Sequence, residues 1–149
     1  MRIFVTSLIV LFLLGCASME SRNSEIEIEP TANGPFKYFQ LRIESAVGLE
    51  GEVLLNGTKI GSLDKAGFQL SSNEAQTLIK NGENKIQIKL SGLTRDAKPL
   101  LNSTDSLLVA LHALKDAGAP DESNRVIEIN WSPKKLEDRT YVFSISRFK

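Results

Sequence analysis

Residues able to carry chemistry are scarce in this chain of 149 residues, which holds one cysteine, Cys16, and one histidine, His112. Nucleophilic catalysis needs a Ser, Cys or Thr with a base beside it, usually histidine. His112 stands inside the apolar run "LLVALHAL", where a strand histidine on a solvated or partly covered face is expected and a catalytic base is not. One histidine and one cysteine cannot supply the ligands of a zinc site. Asp116, Asp121 and Glu122 could offer oxygens to calcium, but their spacing fits no known calcium loop and Pro120 stiffens the segment, so a solvated turn is expected. Paired carboxylates for glycoside cleavage would have to converge from separate strands. No Gly-x-Ser-x-Gly, Walker or dinucleotide-binding glycine pattern occurs. Neither a catalytic set nor a metal nor another cofactor is expected.

Cys16 itself has an informative setting. The segment from Ile3 to Leu14 is apolar apart from Thr6 and Ser7 and follows Arg2, the positive start and hydrophobic body of an export signal. Its twelve residues fall short of the roughly 20 that a membrane span requires. The polar string "SMESRNSEIEIEPTANG" follows at once, so the apolar stretch does not extend into a stop-transfer helix.

Leu13-Leu14-Gly15-Cys16 resembles the lipobox of bacterial lipoproteins, with Leu three residues before a Cys and a small residue directly preceding it. The resemblance covers the first sixteen residues. It implies recognition of Leu13, Leu14 and Gly15 by a signal peptidase, with Leu14 a less usual but tolerated choice. It also implies a diacylglycerol on the Cys16 thiol, cleavage before Cys16 and acylation of the new amino terminus. Small residues suit a chain that must lie extended in a peptidase groove. Each acyl methylene buried in the bilayer contributes about 0.8 kcal/mol, and two or three chains hold durably where one holds marginally. Ala17 stands where an inner-membrane retention signal would place Asp, so the implied location is the cell envelope, at the outer membrane. The periplasmic or the surface face stays open.

Loss of Met1 to Gly15 would leave 17 basic and 18 acidic residues and no cysteine for an internal disulfide. A domain so exported must be stable through its core alone. The near-zero net charge provides no field for steering nucleic acid or for adsorbing to anionic lipid, and a nucleic-acid partner is not expected.

The length fits one domain. Residues 16–35 carry Ser, Asn, Glu, Pro and Gly with only Ile26 and Ile28 as sizeable apolar punctuation beyond Met19, and are expected to be a flexible tether. "EIEIE" could pair as an edge strand, but its outward row would be all Glu, and the linker is preferred. The domain is expected over 36–149 as an all-β antiparallel sandwich, jelly-roll or immunoglobulin-like, with one short helix.

Period-two alternation dominates that domain. Phe39, Leu41 and Ile43 should face inward, as should Ile86, Ile88 and Leu90 against outward Lys85, Gln87 and Lys89. Ile127, Ile129 and Trp131 form a third row, and Tyr141, Phe143 and Ile145 a fourth. Asn56-Gly57 between Leu55 and Thr58 predicts a tight hairpin over 52–61. Ser71 and Glu74 resemble a capping box for one or two helical turns near 73–80, with Gly82 as the left-handed stop. The run 105–116 reads as a helix or as a two-sided central strand, and its β neighbours favour the strand. "LLNGTKIG" and "LIKNGENKIQIKL" loosely resemble β-sandwich modules of the jelly-roll type attached to carbohydrate-active enzymes. That likeness bears on architecture and little on ligand.

Sugar binding would call for exposed aromatic platforms. Phe36, Tyr38 and Phe148 are the candidates, though a core or edge role is expected for them. The resemblance to bacterial lipoproteins implies that the sequons at Asn56 and Asn102 are coincidences of turn composition. The expected function is a non-catalytic, lipid-anchored envelope protein whose sandwich binds a protein partner or an envelope glycan. The alternatives are a small hydrolase or lyase working through carboxylates and Arg, and an accessory subunit of a secretion or surface-assembly machine recognised through an edge strand.

Overall fold

The alternating segments become strands because one row of each can be buried between two layers while the other meets water. A computed structural model describes residues 25–98 and 106–148. The strands are β1 (Glu25–Glu27), β2 (Tyr38–Ser45), β3 (Val47–Leu55), β4 (Thr58–Leu63) and β5 (Phe68–Ser72), followed by α1 (Ala75–Leu78). Then come β6 (Gly82–Lys98), β7 (Leu107–Leu114), a 3-10 turn at Glu122–Asn124, β8 (Arg125–Trp131) and β9 (Arg139–Ile145). One sheet has the order β1-β9-β6-β3-β4 and the other β5-β2-β7-β8. All neighbours are antiparallel except β1 and β9. The protein is an all-β sandwich with one short helix.

Only β3–β4 and β7–β8 are hairpins within a sheet; every other connection crosses between layers. Leu41, Ile43, Leu55, Ile86, Ile88 and Leu111 are fully buried between the sheets, and the four alternating rows face as their patterns predict. Residues 107–114 are a strand between β2 and β8, which explains its two-sided apolarity. Its Ala110 stands level with Arg42 and Glu128, whose longer side chains shield it on the outer face. The β3–β4 turn has Asn56 at φ 51° and Gly57 at φ 84°, the two positive values a tight turn of this kind requires.

Three expectations are corrected. "EIEIE" is not tether: Glu25–Glu27 pairs in parallel with Thr140–Val142, and the Ile28 N–H donates to the Val142 carbonyl at 2.9 Å. Pairing half-buries Ile26 and Ile28, and Lys85 lies 2.6 Å from Glu25, so the acidic row carries its own counter-charge. The Thr31 N–H then reaches the Val126 carbonyl of β8 at 2.9 Å, closing that flank, so residues 25–31 belong to the sandwich that was expected to begin at 36. No capping box forms at Ser71 and Glu74. The Ser72 hydroxyl accepts from the Glu74 N–H at 3.2 Å, and the helix lasts four residues. His112 is 6% exposed, for reasons given below.

The parallel β1–β9 pair also sets a polarity. β1 begins beside the start of β9, together with the β2–β3, β4–β5 and β8–β9 connections; this end is called the tether end after the expectation for the residues before β1. The distal end gathers the Asn56–Gly57 turn, α1, the β7–β8 loop and residues 146–148.

Candidate functional site

Four residues at α1 are too few to be stable as an isolated helix, so side chains must hold the segment. Gln76 does so with both ends of its amide. Its Oε1 accepts from the Phe39 N–H at 2.8 Å, and its Nε2 donates to the Lys37 carbonyl at 2.9 Å. The Lys37 N–H in turn donates to the Leu114 carbonyl at 2.8 Å, which ties β2 to the β7–β8 loop. Between them lies a depression of about 250 Å³, with Tyr38, Gln40, Asn73 and Gln76 on one side and Leu114, Gly118 and Pro120 on the other. Leu114 and Gly118 also border a broader hollow of about 580 Å³ that extends to Ala32 and Phe36. Ala32 continues the belt into a third, of about 330 Å³, beside Gly34, Gly82 and Ser146. Three shallow hollows thus ring the distal end.

The polar chemistry of the first hollow is specific. Gln40 Nε2 donates to Asn73 Oδ1 at 2.9 Å, which leaves Gln40 Oε1 as an acceptor and Asn73 Nδ2 as a donor without partners among the described residues. Both stand beside the half-buried Tyr38 ring, over which Lys37 Nζ lies at 5.4 Å. A neighbouring donor and acceptor beside an aromatic face recognise neutral polar groups, such as the backbone of an extended peptide or vicinal hydroxyls. Sequence reading missed Gln40, Asn73 and Gln76. The available signal was amides in outward positions on both sides of a helix too short to stand alone.

The β7–β8 loop is fastened by its own residues. The Asp121 carboxylate accepts from the Ser123 hydroxyl at 2.6 Å, the Ser123 N–H at 2.8 Å and the Asn124 N–H at 3.2 Å, capping the 3-10 turn. These bonds, the Ser123 hydroxyl first, hold the Asp121 carboxyl below the usual aspartate range. His112 Nδ1 lies 3.0 Å from both the Asp121 carbonyl and Asn124 Oδ1, two acceptors, so this nitrogen carries the proton. The loop folds over the imidazole, and this is why the ring is covered and not solvated. Asp121 is therefore spent on structure, and among the described residues no group of three or more His, Cys, Asp or Glu is placed to hold a metal ion.

Two asparagines lock the rest of the distal end. Asn84, 1% exposed, accepts from Asn56 Nδ2 and the Lys80 N–H, both at 2.8 Å, and donates to the Lys80 and Gly82 carbonyls at 2.9 and 2.8 Å. Asn56 also bonds the Leu78 carbonyl at 2.7 Å and the Lys85 N–H at 2.9 Å. The Asn-Gly and Gly-x-Asn motifs singled out in the sequence therefore meet, and the Asn56 side chain is committed inside the protein. Arg147 adds a strap, with Nη1 2.7 Å from the Ile79 carbonyl and its guanidinium 5.5 Å from the Phe39 ring centre. Of the three aromatic candidates, Phe36 is buried, Tyr38 borders the first hollow and Phe148 is exposed. Leu13, Leu14, Gly15, Cys16 and Asn102 lie outside the described residues.

Comparison with protein families, with curated proteins and with solved structures finds no match for this chain. Its function is read from its own residues.

Proposed function

We propose that this chain is a lipid-anchored protein of the bacterial cell envelope, and that its sandwich is a non-catalytic module presenting its distal end to a protein partner or an envelope glycan. The observation that carries the reading is Cys16, unique in the chain and in register with the end of an apolar export signal. The fold supports it in two ways. β1 starts nine residues after Cys16, so the anchor and the domain are separated by at most about 30 Å of chain. The hollows lie at the opposite end from the point of attachment, where a partner has access and the bilayer does not interfere. No helix among the described residues is long and apolar enough to cross a membrane.

Fractionation and intact mass test the anchor. The mature chain should begin at Cys16 with the mass of a thioether-linked diacylglycerol and an amide-linked acyl chain, and Cys16→Ser should move it out of the membrane fraction. An unprocessed chain, or a Cys16→Ser form that stays equally membrane-bound, would refute the reading. Affinity capture from solubilised envelopes, comparing the wild type with Gln40→Ala/Asn73→Ala, tests the hollow: a partner or glycan retained by the first and lost by the second is expected. Measurable turnover of glycans, peptides or esters would count against a non-catalytic role.

A further inference from the structure

Among the described residues, three large hydrophobic side chains are exposed: Val47 at 51%, Leu136 at 56% and Phe148 at 52%. Val47 and Leu136 both stand at the tether end, at the β2–β3 and β8–β9 connections. We propose that the tether end is a membrane-docking surface, with Val47 and Leu136 entering the interface of the bilayer that holds the acyl chains of Cys16. The proposal rests on the lipoprotein reading above and adds an orientation to it.

The length of chain before the fold commits this surface to a lipid occupant. At most about 30 Å of chain keeps the face that bears the attachment point next to the bilayer. Two aliphatic side chains bind a membrane weakly from free solution, but a tether makes the encounter intramolecular, and weak contacts then suffice.

The charges around these side chains permit the approach. Lys65 lies 3.1 Å from Glu50, and Lys135 lies 3.4 Å from Glu137, so these carboxylates carry their own counter-charges. Asp138 accepts from the Leu90 N–H at 3.2 Å. Lys134, exposed beside Leu136, has no carboxylate partner among the described residues and can extend its ammonium to lipid phosphates. With charges near balance among the described residues, docking is driven by apolar contact, and anionic lipid is not a requirement.

The backbone of the same turns is also prepared for a drier medium. The Gly48 N–H bonds the Lys65 carbonyl at 2.9 Å and the Ala46 N–H the Ser106 carbonyl at 2.7 Å. Asp64 takes the Ala66 N–H on its carboxylate at 2.8 Å and the Gly67 N–H on its carbonyl at 2.9 Å. Such groups have no need of water and do not oppose insertion.

Lipidation consumes the only native thiol, so a new cysteine becomes the single labelling site of the mature chain. Full-length Leu136→Cys and Thr58→Cys, the latter at the distal hairpin, are purified as lipoproteins and labelled with an environment-sensitive fluorophore. They are then reconstituted in phosphatidylethanolamine–phosphatidylglycerol vesicles containing brominated lipid. The label at 136 should shift to the blue and be quenched by bromine, the label at 58 should do neither, and Val47→Asp should return the 136 label toward water. Vesicle flotation is read in parallel. A chain that floats with a water-exposed label at 136 overturns the docking alone. A chain that does not float overturns the anchor, and the surface with it. A blue shift at 136 that scales with protein density and shows no bromine quenching identifies a second copy as the occupant, which also overturns the proposal.

Discussion

At the distal end, backbone groups left over by turns are met by buried or half-buried amides: Asn56, Asn84 and Gln76 each reach main-chain atoms of another element. The tether end adds ion pairs near the surface, among them Glu50–Lys65, Lys135–Glu137 and Arg139–Glu137. That end also tolerates an orphan, the fully buried Ser45 hydroxyl at the close of β2, which has no partner among the described residues. Removing water strengthens a hydrogen bond and makes its loss costly, whereas an exposed ion pair is weakened by solvent and salt. The distal end should therefore be the rigid one, as would suit the binding surface proposed there. The tether end can accommodate change, as would suit the membrane contact proposed for it.

Substitutions can break this contrast. The largest effect is expected for Asn84→Ala, which strands the Lys80 N–H, two carbonyls and the Asn56 amide; it should destabilise the fold by about 3 kcal/mol in urea unfolding. A loss comparable with that of a surface residue would refute the view of the distal end as a locked unit. Gln76→Ala should cost about 2 kcal/mol and also reduce capture of the partner, because α1 then no longer holds Asn73 beside Gln40.

At the tether end the signs and sizes should differ. Ser45→Ala removes an unpaired buried hydroxyl and should leave stability unchanged or raise it by about 1 kcal/mol, measured by the same unfolding curve. Glu137→Gln weakens its pairs with Lys135 and Arg139 and should lower stability far less than Asn84→Ala, and less still in high salt. A Glu137→Gln loss matching that of Asn84→Ala would erase the distinction.

The smallest effects are local and depend on pH. The Asp121 carboxyl is held below its ordinary value in the folded state, so its contribution is present above that value and fades as pH falls through the lowered one. Protection from amide exchange at Ser123 and Asn124, taken relative to the intrinsic rate at each pH, should fall in acid while that of β6 holds. Lys85 behaves in the opposite sense. Its hydrogen bond to Glu25 raises its pKa, so its contribution is complete below the ordinary lysine value and is lost as pH rises through the raised one. Protection at Ile26–Ile28, relative to the intrinsic exchange rate, should fall only in strong base, or at neutral pH in Lys85→Met.

The legible parts were those whose cause is local. Alternation placed the inward rows of β2, β6, β8 and β9, and two-sided apolarity placed β7 at the centre of its sheet, because burial acts on each strand's own period of two. Asn56-Gly57 declared its turn through the φ values those residues tolerate. The capping expectation failed at Ser71 because a neighbouring serine, Ser72, had the geometry to reach Glu74, a difference of one residue that letters alone do not resolve.

By itself the sequence determined the class of fold, the faces of the strands, the tight turn and, through Cys16 and the apolar run before it, the proposed attachment to a membrane. Only the tertiary structure decided that Glu25–Glu27 is a strand, since its partner in β9 is more than a hundred residues away and supplies the hydrogen bonds and the burial that three residues lack. The same holds for the cover over His112, the meeting of Asn56 with Asn84, and the placing of the hollows opposite the tether. Each depends on contacts between segments distant in the chain, and their energies exist only once the two sheets have closed on each other.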